Sequence, residues 1–443
     1  MTIAERVRAA EVGVGGPRRR GLGLVLLLVL ALGAALLVAL PGDDSDDKAA
    51  CAPRKVGAWE PDERTNGEFT RYGDDPARTD DWTGGDGTHS VRLPDGRLLW
   101  LFSDSYLGPV HPPPNLSGQP HSWRDQSAPF VRNSAVVMSR SGRLERTLPA
   151  PVFPDPGPGQ WRWPVAAKVE PRSPGADEKV LRVLLWSRAT GTGPWIYGVP
   201  TATEVATLSL PDLRVEGITE VSDQSGVQDP AHRVLYGTAA LDDDGHTYVF
   251  GGNDGKAAAK PASDAYVARV PDGSLADPDA WEYWDGERFT DRGGSAEPVL
   301  GDGATPQGSA GRGGAESGGP TKGVGSAFTV VREEGTWVLF TMAAGAEGLT
   351  TVTSYWSCGP TGPWHGPAKG FAPPLPQDSA PEKDAAVYNP QAHPDVAARK
   401  GRLLLSYDVN WLDATPQVAA SHVTRNVSLY RPRFVQLRLV RGD

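Results

Sequence analysis

The chain reads as all-β: a five-bladed β-propeller preceded by a single N-terminal transmembrane helix. Three observations predict this. A strand–turn–strand pattern recurs five times between residues 88 and 408. The composition is rich in turn formers, with 53 Gly and 41 Pro among 443 residues, and holds no long run at helical spacing. Residues 21–40 form one unbroken apolar run, GLGLVLLLVLALGAALLVAL.

Taken from the N-terminus, residues 1–20 are a short segment ending in Arg18-Arg19-Arg20. As a helix, the twenty residues 21–40 span about 30 Å, the thickness of a bilayer core. Asp43, Asp44, Asp46 and Asp47 follow. Basic residues before the run orient it with the N-terminus in the cytoplasm and everything after residue 41 outside. This predicts a single-pass protein of the cell membrane. Cleavage as a signal peptide, giving a secreted protein, is the alternative; the run is long for that and no A-x-A site follows closely. Residues 41–60 read as a polar linker to a domain over 61–443.

Within that domain three copies of the pattern are clear: THSVRL-PDG-RLLWLFSD (88–104), YGTAAL-DDDG-HTYVFGG (236–252) and SAFTVV-REEG-TWVLFTM (326–342). Looser copies lie at 161–188 and 388–408, and a second β-like unit follows each copy. Five units of about four strands predict five blades. The apolar runs Leu98–Phe102, Val338–Phe340 and Leu403–Leu405 suit strands buried on both faces. Two packed sandwich domains are the alternative architecture. Residues 301–325, rich in Gly and Ser, read as an insertion loop.

A net charge of −10 argues against a nucleic-acid partner. Cys51 and Cys358 are the two cysteines; in an oxidising compartment they could pair, and two free thiols are the alternative. No metal and no cofactor is expected. Asp242, Asp243 and Asp244 read as an exposed hairpin turn. Oligomeric state is not legible.

In a propeller the innermost strands begin at the mouth of a central channel. The start of each copy's first strand and the end of its second therefore converge on one rim. Those positions are Asp86, Asp104, Trp163, Arg188, Tyr236, Asn253, Ser326, Asn389, Asp408 and Asn410, a polar and aromatic set. The sharpest signal among them is the hairpin Gly84–Gly108, GGDGTHSVRLPDGRLLWLFSDSYLG. Its turn is Pro94-Asp95-Gly96, and residue 95 is the midpoint between Asp86 and Asp104. Residues symmetric about a hairpin turn face each other with Cβ atoms roughly 5 Å apart, where like charges are destabilising. A chain keeps such a pair mainly where it needs two carboxylates together, although Asp in G-D-G is also a common turn former.

Together with RNSAVV, VLYGTAAL, AYVARVPDGSLADPDAWEYWDG, VGSAFTVV, VYNPQAHP, LLLSYDVN and YRPRF, this hairpin resembles the bacterial DUF4185 domain over roughly residues 65–440. The resemblance implies a five-bladed propeller. It also implies, for part of that family, an endo-acting glycoside hydrolase on D-arabinan of mycobacterial-type cell walls, with two first-blade aspartates as catalytic carboxylates. Their motif positions match Asp86 and Asp104.

Glycoside hydrolysis needs one carboxyl group to protonate the leaving oxygen and a second to act as nucleophile or to activate water. The cross-strand estimate lies nearest the retaining spacing of about 5–5.5 Å. Asp104 is expected as nucleophile and Asp86 as acid/base, with one pKa raised by the proximity of the other. Candidate substrate-binding residues are Asn133, Arg188, Tyr236, Ser326, Asn389, Gln391, His393, Asp408 and Asn410. For Asn133 and His393 a structural turn or loop role is the alternative, and for Tyr236 core packing is. The function these expectations describe is an extracytoplasmic glycoside hydrolase with a polysaccharide partner. A non-catalytic sugar-binding propeller and an envelope scaffold are the alternatives.

Overall fold

The computed structural model describes residues 51–192, 195, 197–253, 263–301, 322–344, 350–375, 385–411 and 416–442. The chain divides into two units, Met1–Lys48 and Ala49–Asp443. The first lies wholly outside the described residues, and with it the expected membrane run 21–40. Among the described residues no helix is long and apolar enough to cross a membrane. Most of the expected insertion loop, residues 302–321, also lies outside them.

The second unit is all-β, and every strand pairing among its described residues is antiparallel. It begins with a correction. The expected linker 41–60 is strand at its C-terminal end: β1 (Arg54–Pro61) pairs with the last strand of the chain, Arg433–Arg441 (β23). The alternation in RKVGAWEP is weak, and its partner lies some 380 residues away, so nothing local marks it. A helix follows, α1 (Glu63–Gly73). Asp62 caps it by accepting from Thr65 N–H at 2.7 Å, with Glu63 in the first turn and Arg71 in the last.

β2 (Trp82–Gly85), β3 (His89–Arg92), β4 (Leu98–Phe102) and β5 (Ser105–Leu107) form one long hairpin, interrupted midway. β3 and β4 join β7 (Ser134–Met138) and β8 (Leu144–Thr147) in a first four-stranded sheet. β2 and β5 continue the hairpin as a small sheet with β6 (Phe130–Val131). The second sheet is β9 (Gln160–Pro171), β10 (Lys179–Ala189), β11 (Val199–Leu208) and β12 (Val215–Asp223). The third is β13 (Val234–Asp243), β14 (His246–Asn253), β15 (Ala265–Pro271), β16 (Glu282–Trp284) and β17 (Phe289–Thr290). β18 (Thr329–Glu333), β19 (Thr336–Met342) and β20 (Val352–Ser357) make the fourth. β21 (Ala385–Ala392) and β22 (Leu403–Trp411) make the fifth with β23 and β1, and α2 (Pro416–Arg425) lies between β22 and β23.

The first strands of the five main sheets are neighbours in order: β3 packs against β9, β9 against β13, β13 against β18 and β18 against β21. The circuit returns to its start through His393, whose ring nitrogens contact Ser90 Oγ of β3 and Ser406 Oγ of β22, each at 2.8 Å. Apolar cores fill the gaps between sheets, and β4, β7 and β19 are buried along their whole length. Beneath the first hairpin, Phe69 of α1 meets the rings of Trp82, Trp100, Phe102 and Phe434. Such ring pairs contribute about 0.5–1.5 kcal/mol each beyond their burial. Cys51 and Cys358 form a disulfide, which joins the residues ahead of β1 to those after β20.

Candidate functional site

Asp86 and Asp104 face each other where the long hairpin is interrupted. The register pairs His89 with Leu101 in β3–β4 and Gly85 with Ser105 in β2–β5. Carried between the two, it sets Asp86 opposite Asp104, and Asp86 N–H donates to the Asp104 carbonyl at 3.1 Å. The ladder then slips, because Ser103 N–H takes the Asp86 carbonyl at 2.8 Å. Gly87 absorbs the slip at φ 61°, a left-handed conformation that side chains disfavour. A Cβ there would stand 2.3 Å from Ser103 Oγ. The Gly87 N–H leaves the ladder and donates to Asp408 Oδ2 of the fifth sheet at 2.8 Å. The glycine of G-D-G thus links the two ends of the circuit.

Three carboxylates therefore meet, each with different partners. Asp86 Oδ2 accepts from the Tyr388 hydroxyl at 2.8 Å, and the Tyr430 hydroxyl also bonds Asp86. Asp104 accepts from Arg132 Nη1 at 2.9 Å and from Trp163 Nε1 at 2.8 Å. Asp408 Oδ2 accepts from Gly87 and, at 3.3 Å, from Asn389 Nδ2, while its buried Oδ1 has no partner among the described residues. Two bulges aim the donors. β21 slips between Tyr388 and Gln391, where Asn389 sits at φ 48°. β9 slips between Pro164 and Ala166, just after Trp163. Bulges of this kind re-aim side chains at strand ends.

Burial, and then the charge of Asp104, push Asp86 up to about 7, against the pull of the two tyrosine hydroxyls. Asp104 is also raised by burial, but the Arg132 charge, the Trp163 and Arg132 hydrogen bonds and the Arg188 charge oppose this. Asp408 is 2% exposed, and burial and the charge of Asp86 hold it well above the carboxylate range. The groups titrate together. Asp86 exchanges its proton near neutrality, while the Arg132 charge favours the charged form of Asp104 and burial favours the neutral form of Asp408.

The other candidate residues divide. Asn389 bonds Asp408, and Asn410 bonds the Tyr388 hydroxyl, so both belong to the cluster. Arg188 is buried and donates from Nη1 to the Gly198 carbonyl at 2.9 Å, with its guanidinium 5.0 Å from the Trp163 ring. It braces Trp163, and its charge reaches Asp104. Asn133 is a correction: fully buried, it donates to the Phe153 and Arg162 carbonyls and accepts from Phe153 N–H, tying the first sheet to the second. Tyr236 is another, since it packs in the core against Trp281 and Tyr283 rather than on a sugar. Gln391, 3% exposed, donates to the Phe328 carbonyl. His393 is buried as the clamp described above, and desolvation pushes it down to about 3. Ser326 stays partly exposed ahead of β18 and is not among the groups bonded to the three carboxylates. Among the described residues no group of three or more His, Cys, Asp or Glu side chains is arranged to hold a metal ion.

Sequence reasoning missed Tyr388, Tyr430 and Arg132. Tyr388 had a signal: it stands opposite Asp408 in the β21–β22 register, as Asp86 does opposite Asp104. The long turn between those strands hides the midpoint. Arg132 is the neighbour of Asn133, and both lie in the bend between β6 and β7, where no strand period predicts side-chain direction. Tyr430 lies in a 3-10 turn, Val427–Tyr430, where the sequence reads as the start of the second β-like unit after the last copy.

A family model described as Domain of unknown function (DUF5005) matches residues 66–439. That match overturns the resemblance to DUF4185: the motifs quoted for it lie inside a different family. No protein of curated function matches the chain. Among solved structures, a Bacteroides ovatus ATCC 8483 protein, provisionally described as a hydrolase, superposes with a TM-score of 0.59 at 19% identity, over 90% of this chain and 96% of that one. That likeness is one of fold. Looser superpositions include the exo-β-1,3-galactanase 1,3Gal43A from Clostridium thermocellum (TM-score 0.41, 11% identity, 79% of this chain and 58% of that one). An exo-1,5-α-L-arabinanase from a bovine ruminal metagenomic library gives 0.41 at 10% identity, over 83% and 96%.

Proposed function

This chain belongs to the DUF5005 family, and from that premise we propose that Ala49–Asp443 is a five-bladed β-propeller glycoside hydrolase working through Asp86 and Asp104. The five main sheets and their closed circuit support the blade count, with β1 completing the last blade as a strand borrowed from the N-terminus. One observation carries the function: two carboxyl groups on directly opposed residues, one bonded by tyrosine hydroxyls and one held beside a cation.

In this mechanism Asp86 gives its proton to the glycosidic oxygen as the bond to the anomeric carbon breaks. Asp104 supplies the electron pair on the other side, attacking that carbon or taking a proton from the attacking water. Arg132 and Trp163 hold the Asp104 oxygens in place, and Tyr388 and Tyr430 do the same for Asp86. Neutral Asp408 fixes Gly87, and so the backbone that carries Asp86. Direct opposition of the pair favours retention of configuration. The site faces outward, anchored through residues 21–40 or secreted if they are cleaved. The Cys51–Cys358 disulfide supports an oxidising compartment.

The test is digestion. The full-length protein is incubated with soluble arabinan, β-1,3-galactan and mixed cell-wall polysaccharide, beside Asp86→Asn and Asp104→Asn. Oligosaccharides released by the wild type and by neither variant support the proposal. Retention without products favours a sugar-binding propeller, and release that survives in both variants removes the aspartates from the chemistry.

A further inference from the structure

Phe130 is 45% exposed. Exposure alone means little, since Leu116 and Tyr197 are more exposed still. What distinguishes Phe130 is its connection to both working carboxylates. Its ring lies edge-on to Tyr106 at 5.1 Å, Tyr106 lies edge-on to Tyr430 at 5.7 Å, and Tyr430 bonds Asp86. On the other side the Arg132 guanidinium lies 5.5 Å from the Phe130 ring and bonds Asp104.

The local strand explains this placement. β6 pairs with β5, setting Phe130 opposite Tyr106 and Val131 opposite Ser105. Arg132 lies in the bend that follows β6, and its guanidinium turns back over the Phe130 ring. Asn133 is sealed in the first sheet's core, while Arg132 bonds Asp104.

Arg132 has capacity beyond its ion pair. It is 37% exposed and its guanidinium stacks over the Trp161 ring at 4.5 Å. It bonds Asp104 through Nη1, and a guanidinium carries five N–H donors. An aromatic face attracts the electropositive C–H face of a sugar ring by the same quadrupole that attracts cations and ring edges. A guanidinium edge beside it can donate to a hydroxyl of that ring.

We infer that Phe130 and Arg132 form a sugar-binding subsite next to the reacting bond, in which Phe130 stacks under one ring of the polysaccharide and Arg132 donates to its hydroxyls. This rests on the glycoside hydrolase reading and adds a positioning residue to it. The occupant is a neutral sugar with one exposed C–H face, because the donors nearby are matched to hydroxyls and Asp104 already takes the cation's charge.

The experiment compares wild type, Phe130→Ala and Phe130→Trp on the polysaccharide that the wild type cleaves. Phe130→Ala is expected to raise KM by about 10-fold with a smaller change in kcat, while Phe130→Trp stays within about twofold of wild type. Equal thermal midpoints for the three proteins exclude a folding defect. An unchanged KM in Phe130→Ala overturns the inference and leaves the hydrolase reading standing. If the wild type cleaves nothing, that reading fails instead, and affinity electrophoresis in gels containing arabinan or β-1,3-galactan still decides the subsite. Retardation of wild type and Phe130→Trp, lost in Phe130→Ala, supports it; equal mobility of all three overturns it.

Discussion

The hydroxyl of Tyr388 donates to Asp86 Oδ2 at 2.8 Å, from a residue that itself stands opposite Asp408. It is one of two hydroxyls that favour charged Asp86 against burial and the neighbouring Asp104. Tyr388→Phe removes it, so the Asp86 pKa rises further. A hydrogen bond of about 1 kcal/mol corresponds to roughly 0.7 pH unit. The alkaline limb of the pH–rate profile is therefore expected to move up by about 0.5–1 unit, with kcat reduced by about 10-fold. A limb that stays in place contradicts this account of Asp86.

Asp408 is expected to cost the fold stability. Its pKa is well above the usual carboxylate value, so the folded state holds the proton more tightly than the unfolded state. Stability is then lost as pH rises from about 4 towards the folded value. Asp408→Asn stays neutral and keeps an acceptor for Gly87 and Asn389. Its thermal midpoint should match wild type at pH 4 and exceed it at pH 8. A variant less stable than wild type at pH 8 contradicts a neutral, destabilised Asp408.

Part of this site was legible because hairpins obey simple arithmetic. The midpoint of Asp86 and Asp104 fell on the Pro94-Asp95-Gly96 turn, and the register places them opposite each other as that predicts. The five repeats marked five sheets for the same reason, with a short polar turn between two strands each time. What could not be read depended on contacts distant in sequence. β1 pairs with β23 at the opposite end of the chain, and Tyr430 reaches Asp86 from an irregular turn. Asn133, Tyr236 and His393 have the right residue types in the right motifs, but one step of alternation or one layer of packing turns them into the core. His393 illustrates the point, since both its nitrogens are taken by serines on different sheets.

His393 offers a contrast between structural and functional roles. His393→Ala leaves the half-buried Ser90 hydroxyl without this partner and the buried Ser406 hydroxyl with only a long bond to the Gln391 carbonyl, and opens a cavity among Trp100 and Phe434. A cost of about 2–4 kcal/mol is expected. The thermal midpoint should fall while KM of the remaining folded enzyme is unchanged. The pH sign also follows. With the folded pKa near 3 for His393 and for His89, the unfolded state takes up protons first as pH falls below about 6.5. Wild-type stability should therefore decline from about pH 6.5 to 3, and one of these two contributions should vanish in the variant.

The disulfide makes a separate prediction. Cys51 and Cys358 are 307 residues apart, so the bridge closes a very long loop and holds the start of β1 beside the fourth sheet. Bridges of this kind contribute about 2–4 kcal/mol. Cys51→Ser, or reduction of the wild type, should lower the thermal midpoint without changing the pH–rate profile. An unchanged midpoint after verified reduction contradicts a structural role for the bridge.

The central claim is that Asp86 works as the proton donor and Asp104 as its charged partner. The most direct measurement is the pH dependence of kcat/KM, from pH 4 to 9, on the polysaccharide that the protein cleaves. Activity is predicted to fall as pH rises through about 7, where Asp86 loses its proton, and Asp86→Asn is predicted to retain less than about one part in a hundred at every pH. Activity that is flat or rising through pH 8, or that keeps its wild-type level in Asp86→Asn, contradicts the claim.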